Sequence, residues 1–247
     1  GPTQEVYSID ESFIGLQGVR GDLTKRCQDI RNRINQWVRI PCGVGIGQTI
    51  TYTITLDIPD AAAGYDTYPY YVKDVASKGL TVNKDFAAKI GDKDMSFTYV
   101  TEPTVDNDSG KTTTVLKFDL AGKSGQLVIT YTAVVNKDII SAGNQVSNTA
   151  EVSRDNENWT PPVVFEAYTG EFAFHKYGVG ANGLAGATFN VFEGSKAEGT
   201  PLKFVKLSDG EYRLAEADEN GSSANVVSTT GNVFIKGLKS GEYTLKE

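Results

Sequence analysis

Alternation of polar and apolar residues dominates the chain from residue 49 onward. In Thr49–Ile58 hydroxyl-bearing or charged residues alternate with apolar ones, and Pro59-Asp60 ends the run. Because neighbouring side chains of a strand point to opposite faces, this period of two predicts a half-buried strand. Similar patterns predict strands at 70–75, 96–100, 113–118, 126–135 and 145–152. Six short strands at this spacing, without a long helix, predict a β-sandwich. Residues 86–90 could form little more than one helical turn and do not change that prediction.

A second series of short strands follows Trp159-Thr-Pro-Pro162, a stiff stretch that predicts a linker. Its strands are predicted at 171–177, 187–193, 202–207, 212–215, 232–236 and 242–246, with glycine-rich turns between them. The pattern therefore predicts a mainly β chain with two β-sandwich domains in tandem.

The first 49 residues have a different pattern and composition. Residues 5–16 alternate like a strand, Asp22 is a good helix N-cap, and 42–47 read as a short buried strand. Between them, apolar residues recur at helical spacing, at Leu23, Cys27, Ile30, Ile34 and Trp37 or Val38. Five of the seven arginines and both cysteines lie here. This composition predicts a separate βαβ-like segment at the N-terminus.

Charge and composition exclude several classes of function. The net charge is −7, and no cluster of Lys or Arg forms a nucleic-acid surface. No run of eighteen apolar residues exists, so no membrane span is predicted. His175 is the only histidine, which excludes sites that need several. Cys27 and Cys42 are predicted to be buried small residues rather than a bridge.

Three linked motifs after residue 170 carry a family resemblance. They are Glu171-Phe-Ala-Phe-His-Lys176, Gly183-Leu-Ala-Gly-Ala-Thr-Phe-Asn-Val191 and Tyr243-Thr-Leu-Lys-Glu247. In order and spacing they resemble the collagen-adhesin B-type domain of Gram-positive pilins. The preceding region, with Gly47–Pro59, Tyr71-Val-Lys-Asp74, Lys78–Thr81 and Asn148-Thr-Ala150, is similar to the A-type domain that usually precedes it. The resemblance implies immunoglobulin-like sandwiches, with an A-type domain at 48–160 and a B-type domain at 161–247 that lacks its last strand.

This resemblance implies an autocatalytic Lys–Asn isopeptide bond in each domain. A buried lysine is neutral and attacks the carboxamide, while a buried, protonated carboxylic acid polarises the amide carbonyl. The resemblance makes Lys176 the nucleophile and Glu247 the acid of the second domain, and Asp74 the acid and Asn148 the acceptor of the first. The first domain departs from the family pattern, because no lysine lies between Lys25 and Lys73. We therefore predict that this chain forms no such bond.

The segment that occupies the place of the missing lysine strand resembles another family. Glu5–Phe13, Ile30-Arg31 and Ile40–Thr49 are similar to the palm of a Y-family translesion DNA polymerase. That resemblance implies metal ligands at Asp10 and Glu11, with magnesium and DNA as cofactor and substrate. It covers only about 45 residues, so residues 1–47 are interpreted as a foreign segment of a chimeric or misassigned sequence, and a polymerase fragment is the alternative function.

The function implied by the pilin resemblance is structural rather than enzymatic. The chain is predicted to be a stalk module of a cell-wall-anchored, extracellular pilus or adhesin, joined by sortase to other pilin subunits. No cofactor and no nucleic-acid partner are expected. A second alternative is an adhesin domain that binds host surface ligands.

Overall fold

A computed structural model describes residues 4–6, 12–14, 42–179 and 182–247 of the chain. The chain divides into two compact units, Gly1–Cys42 and Gly43–Glu247. In the first unit, strands β1 (Gln4–Val6) and β2 (Ser12–Ile14) pair antiparallel. The prediction of one continuous strand over 5–16 is therefore wrong, because alternation sets the faces of a strand but not where the chain reverses. The predicted helix, Asp10, Glu11 and Cys27 lie outside the described residues.

The second unit begins with a first sandwich of eleven strands and one short helix. A 3-10 helix, Asp60–Gly64, follows its second strand. The elements are β3 (Cys42–Gly43), β4 (Thr49–Asp57), β5 (Pro69–Ala76), β6 (Leu80–Val82), β7 (Ala87–Ile90), β8 (Lys93–Asp94), β9 (Thr98–Val105), β10 (Thr112–Asp119), β11 (Gln126–Val135), α1 (Asp138–Ser141), β12 (Gln145–Ser153) and β13 (Val163–Tyr168).

Two sheets face each other in this sandwich. One contains β3, β13, β12, β5, β10 and β9 in that order, and the other contains β4, β11, β7 and β8, with β6 also paired to β11. The alternation on β11 buries Leu127, Ile129, Tyr131, Ala133 and Val135, while the residues between them stay partly exposed. Because the side-chain period is two, a shift of one residue would turn this whole row away from the core.

Residues 87–90, a stretch too short for more than about one helical turn, form strand β7 and pair with Leu127–Thr130 on β11. Hydrogen-bond partners on the neighbouring strand decide the structure of this stretch, although its alanines favour a helix. One local prediction for this region is wrong. Trp159–Pro162 is not a linker, because it lies in the connection between the antiparallel strands β12 and β13. Lys73 Nζ on β5 lies 4.3 Å from the centre of the Trp159 ring, so this stretch contacts the first sandwich.

The predicted domain bounds, 48–160 and 161–247, remain predictions.

The second sandwich follows β13 after a single residue, Thr169. Its strands are β14 (Gly170–His175), β15 (Thr188–Glu193), β16 (Phe204–Ser208), β17 (Glu211–Leu214), β18 (Val226–Val227), β19 (Asn232–Leu238) and β20 (Tyr243–Lys246). One sheet has the order β14, β19, β17, β16, with β17 and β19 parallel, and the other has the order β18, β15, β20. Between them lies a core that includes Val191, Phe204, Val233 and Ile235. The predicted fold class, mainly β with tandem immunoglobulin-like sandwiches, is confirmed.

Candidate functional site

The predicted acid and acceptor of the first sandwich lie side by side in its core. Asp74 is on β5 and Asn148 is on β12, and these strands pair so that Asp74 lies opposite Ala150 and Asn148 opposite Ala76. Both side chains face the core, with only 2% of Asp74 and 5% of Asn148 exposed. Buried carboxyl and carboxamide groups are rare without partners, so their neighbours define what this site can do.

A tyrosine from the opposite sheet completes the arrangement. The Tyr131 hydroxyl donates to Asp74 Oδ2 at 2.6 Å, and Asn148 Nδ2 donates to the same oxygen at 2.7 Å. Asn148 Nδ2 also lies 2.6 Å from the Tyr131 hydroxyl oxygen. The Tyr131 ring is stacked between Tyr52 and Phe86, at centroid distances of 5.2 and 4.3 Å. The Asp74 carboxyl, the Asn148 carboxamide and the Tyr131 hydroxyl therefore meet next to three stacked aromatic rings.

Four oxygens in this core have no hydrogen-bond partner among the described residues. They are Asp74 Oδ1, Asn148 Oδ1, Tyr52 Oη and Thr114 Oγ1, and Thr114 lies opposite Asp74 across the β5–β10 pair. Each such oxygen destabilises the fold, because it has lost its water without gaining a donor. These oxygens could therefore accept a hydrogen bond from one more donor, such as the amine that the pilin resemblance implies.

Burial changes the acidity of this cluster. Loss of solvent raises the pKa of Asp74 to about 6, against the hydrogen bonds from Tyr131 and Asn148, which lower it. Burial also raises the pKa of Tyr131 and Tyr52, and the nearby Asp74 carboxylate adds to both shifts. The protonated Asp74 is thus far easier to populate than an exposed aspartic acid, and both phenols keep their protons.

A protonated Asp74 can act on the carboxamide after one rotation. With Asp74 ionised, Asn148 presents its Nδ2 to the carboxylate. When Asp74 carries a proton, turning the carboxamide by half a revolution presents Asn148 Oδ1 to that O–H donor. This arrangement polarises the amide carbonyl and makes its carbon a better electrophile. This geometry is suited to Asp74 as the acid and Asn148 as the acceptor, and both roles remain predictions.

Tyr131, Tyr52 and Val44 belong to this site but were not among the residues predicted for it. Val44, 3% exposed, lies in the same core cluster as Tyr52, Tyr131, Ala76 and Val146. Its N–H donates to Tyr168 O on β13. Val44 thus occupies the stretch just before Gly47 where the family pattern expects the lysine. The alternation on β11 predicts that Tyr131 is buried, but not that it meets Asp74.

The predicted residues of the second sandwich meet at the surface. Lys176 Nζ and Glu247 Oε2 are 2.5 Å apart, so the structure brings nucleophile and acid together. Their side chains are 30% and 50% exposed, which leaves the pair in contact with water. The pair is therefore not enclosed in a core as Asp74 and Asn148 are. The roles of Lys176 and Glu247 stay predictions.

The rest of the described chain offers a cleft but no group of metal ligands. A cleft of about 650 Å³ lies where the two sandwiches meet, lined by Ile46, Leu214, Leu238 and Tyr243 among others. Among the described residues no three His, Cys, Asp or Glu side chains are grouped to hold a metal ion. In the same part of the chain, no helix has the length and apolar character needed to cross a membrane.

The raised pKa of Asp74 predicts a pH-dependent stability. Between its unfolded pKa near 3.8 and its folded pKa of about 6, the folded chain binds the extra proton. Its contribution to stability is therefore greatest below about pH 4 and is lost as the pH rises through 6. In Asp74→Asn, which has no such proton, the free energy of unfolding relative to the unchanged chain should rise by about 2–3 kcal/mol from pH 4 to pH 7.

Urea unfolding at both pH values measures this difference. Asp94→Asn is the matched control, because the Asp94 side chain is 90% exposed. It should change the difference between the two pH values by less than about 0.5 kcal/mol. A constant difference between Asp74→Asn and the unchanged chain across this range would show that Asp74 titrates normally.

Comparisons with known proteins bear on the fold. No protein-family model matches the chain, so the polymerase-like segment rests on short motifs alone. The major pilin GBS80 of Streptococcus agalactiae, as a 35 kDa C-terminal fragment, matches with a TM-score of 0.59 and 23% identity over 84% of this chain and 81% of that one. The pilus backbone RrgB of Streptococcus pneumoniae matches with a TM-score of 0.54 and 13% identity over 84% of each chain.

A third neighbour is the major pilin SpaA of Corynebacterium diphtheriae, whose modular pilus assembly has stabilising isopeptide bonds. It matches with a TM-score of 0.53 and 18% identity, over 83% of this chain and 54% of that one. Identities this low establish a shared fold and nothing finer. The chain has the tandem-sandwich fold of the major pilins of Gram-positive bacteria.

Proposed function

We propose that this chain is a structural stalk module of an extracellular Gram-positive pilus or wall-anchored adhesin. The observation that carries the proposal is the buried contact of Asp74, Asn148 and Tyr131, where Asn148 Nδ2 lies 2.7 Å from Asp74 Oδ2. Such a costly polar cluster in a sandwich core needs a reason other than packing. A self-made covalent cross-link would be such a reason, and the pilus assembly of the structurally similar SpaA has stabilising isopeptide bonds.

The cross-link chemistry follows from the groups present. A neutral lysine amine would attack Asn148 Cγ while protonated Asp74 polarises Oδ1. Asp74 would then pass its proton to the departing nitrogen and take one from the attacking amine. A C–N bond forms to the amine, the bond to Nδ2 breaks, and ammonia leaves. Such an amide would hold two strands together against pulling, much as a disulfide does but without sensitivity to reductants. In this chain Val44 stands where that lysine is expected.

The proposed partners are other pilin subunits, joined end to end by a sortase on the cell surface. A load-bearing role fits a chain in which the two sandwiches are separated by one residue. The polymerase alternative would require Asp10 and Glu11, which lie outside the described residues. No observation in the described part of the chain favours it over the stalk.

Transplantation tests the proposed function. The chain would replace the corresponding two stalk domains of the Streptococcus agalactiae major pilin, with that pilin's own sorting signals retained. We expect immunogold electron microscopy to reveal surface fibres that carry the chain along their length. An unrelated β-sandwich of similar size is the control for a mere spacer. A folded graft that reaches the surface only as monomers, where the parent pilin forms fibres, would contradict the stalk role.

A further inference from the structure

The two sandwiches meet in a contact that is more than a flexible connection. Only Thr169 separates β13 from β14, and its N–H donates to Asn144 O at 2.9 Å. The Thr169 side chain is itself buried. A one-residue connection with its N–H bonded and its side chain buried leaves little freedom for the sandwiches to swing. The contact surface between the two sandwiches is formed by residues 43–46, 137–140, 213–219 and 237–240. We call this surface the joint.

Backbone meets backbone on one side of the joint. Ile46 N–H of the first sandwich donates to Gly237 O of the second at 2.9 Å. Gly237 has a φ of 84°, and a Cβ there would lie 2.6 Å from Ile46 Cδ1. A Cβ on Gly45 would lie 2.7 Å from the backbone nitrogen of Lys239. Glycines therefore permit an approach that any side chain would block.

Ion pairs form the other side of the joint. Arg213 is buried and makes a bidentate ion pair with Glu219, at 2.7 and 2.5 Å. Glu219 also accepts the N–H of Glu216 at 3.0 Å, which fixes the loop that carries both acids. Chiefly because of the hydrogen bonds from Arg213, the pKa of Glu219 falls to about 2. The loop thus holds both carboxyl groups next to the first sandwich.

Lys137, just before α1, reaches these acids from the first sandwich. Its N–H donates to Glu216 Oε1 at 2.9 Å, and its Nζ lies 3.5 Å from Glu219 Oε1 and 3.7 Å from Glu216 Oε2. Leu214, next to Arg213, packs against the core of the first sandwich. Polar, ionic and apolar contacts therefore all cross the same short surface.

We infer that the joint locks the two sandwiches at one angle, so that the contact opens only in rare cooperative events. This inference concerns the folded chain alone and does not depend on pilus assembly. It predicts that the Ile46 and Lys137 amides, whose acceptors lie on the other sandwich, exchange slowly with solvent. Exchange of these two amides reports directly on opening of the joint.

Amide hydrogen exchange on the full chain, read residue by residue by NMR, tests the lock. In the unchanged chain both amides should be protected well beyond exposed amides. Gly45→Ala should speed their exchange roughly tenfold or more, because its Cβ collides with the Lys239 backbone, while amides of β11 and β19 keep their protection. Gly241→Ala is the matched control, since nothing lies within 4 Å of a Cβ there.

A second variant covers the case in which Gly45→Ala disturbs the first sandwich itself, which loss of β11 protection would reveal. Lys137→Gln keeps the backbone donor and removes the ammonium, and it should speed exchange at both amides by a smaller factor. The lock would be refuted if Ile46 and Lys137 in the unchanged chain exchange like exposed amides. It would equally be refuted if both variants match Gly241→Ala.

Discussion

Replacing Tyr131 by alanine is expected to lower the free energy of unfolding by about 3–5 kcal/mol. The ring is 2% exposed, and it is stacked between Tyr52 and Phe86. Its removal leaves a cavity in the core and takes a donor from Asp74 and a hydroxyl contact from Asn148. Because packing and hydrogen bonding are lost together, this change should be among the most damaging in the first sandwich.

Two further variants separate these contributions in equilibrium denaturation. Tyr131→Phe keeps the ring and removes only the hydroxyl, so it should cost about 1–3 kcal/mol. Tyr65→Ala removes a ring that is 60% exposed and should cost far less. If Tyr131→Ala lowers the free energy of unfolding no more than Tyr65→Ala does, the stacking and hydrogen bonds of Tyr131 do not stabilise the first sandwich.

The sequence predicts strands best where side chains alternate over many residues. On β11 the alternation predicts both the strand and its buried face, because ten residues share one period. Residues 87–90 are too few to have a period, and the strand forms because β11 offers hydrogen-bond partners. Trp159–Pro162 is stiff in isolation, yet the pairing of β12 with β13 brings it back onto the first sandwich. Pairing between distant strands is not visible in local pattern.

The site residues follow the same division. The motifs predict Asp74 and Asn148, and the structure brings them together, but no local pattern predicts that Tyr131 would bridge them from the opposite sheet. Lys176 and Glu247 are also brought together, yet their exposure depends on which strands surround them. In the sequence Val44 is one apolar residue among glycines, and only the tertiary fold places it in the same core cluster as Tyr131.

Replacing Val44 by lysine would supply the amine that the first sandwich lacks at this position. Val44→Lys places an amine in the core cluster that contains Tyr131, whose hydroxyl contacts both Asp74 and Asn148. Burial favours the neutral amine, and it also favours the protonated acid. Close confinement of amine, acid and carboxamide raises their effective concentration enough for a slow reaction to proceed without an enzyme. We expect the amide to form with Asn148 as the chain folds.

Matched variants identify the groups responsible. Val44→Met has a side chain of similar length without an amine, so it should leave the chain uncross-linked. The double change of Val44→Lys with Asp74→Ala keeps the amine but removes the acid, and it should form little amide. Val44→Lys with Asn148→Ala removes the acceptor and should form none. A cross-link that persists without Asp74 would show that proximity alone suffices.

The intact mass of the purified, folded Val44→Lys chain shows whether Asp74 and Asn148 form an amide once a lysine is present. We expect this variant to be lighter than its sequence mass by about 17 Da, the ammonia lost as the amide forms. The unchanged chain should keep its full sequence mass. A folded Val44→Lys chain at full mass, or an unchanged chain that has already lost ammonia, would contradict the account of Asp74 and Asn148 as an acid and acceptor without their lysine.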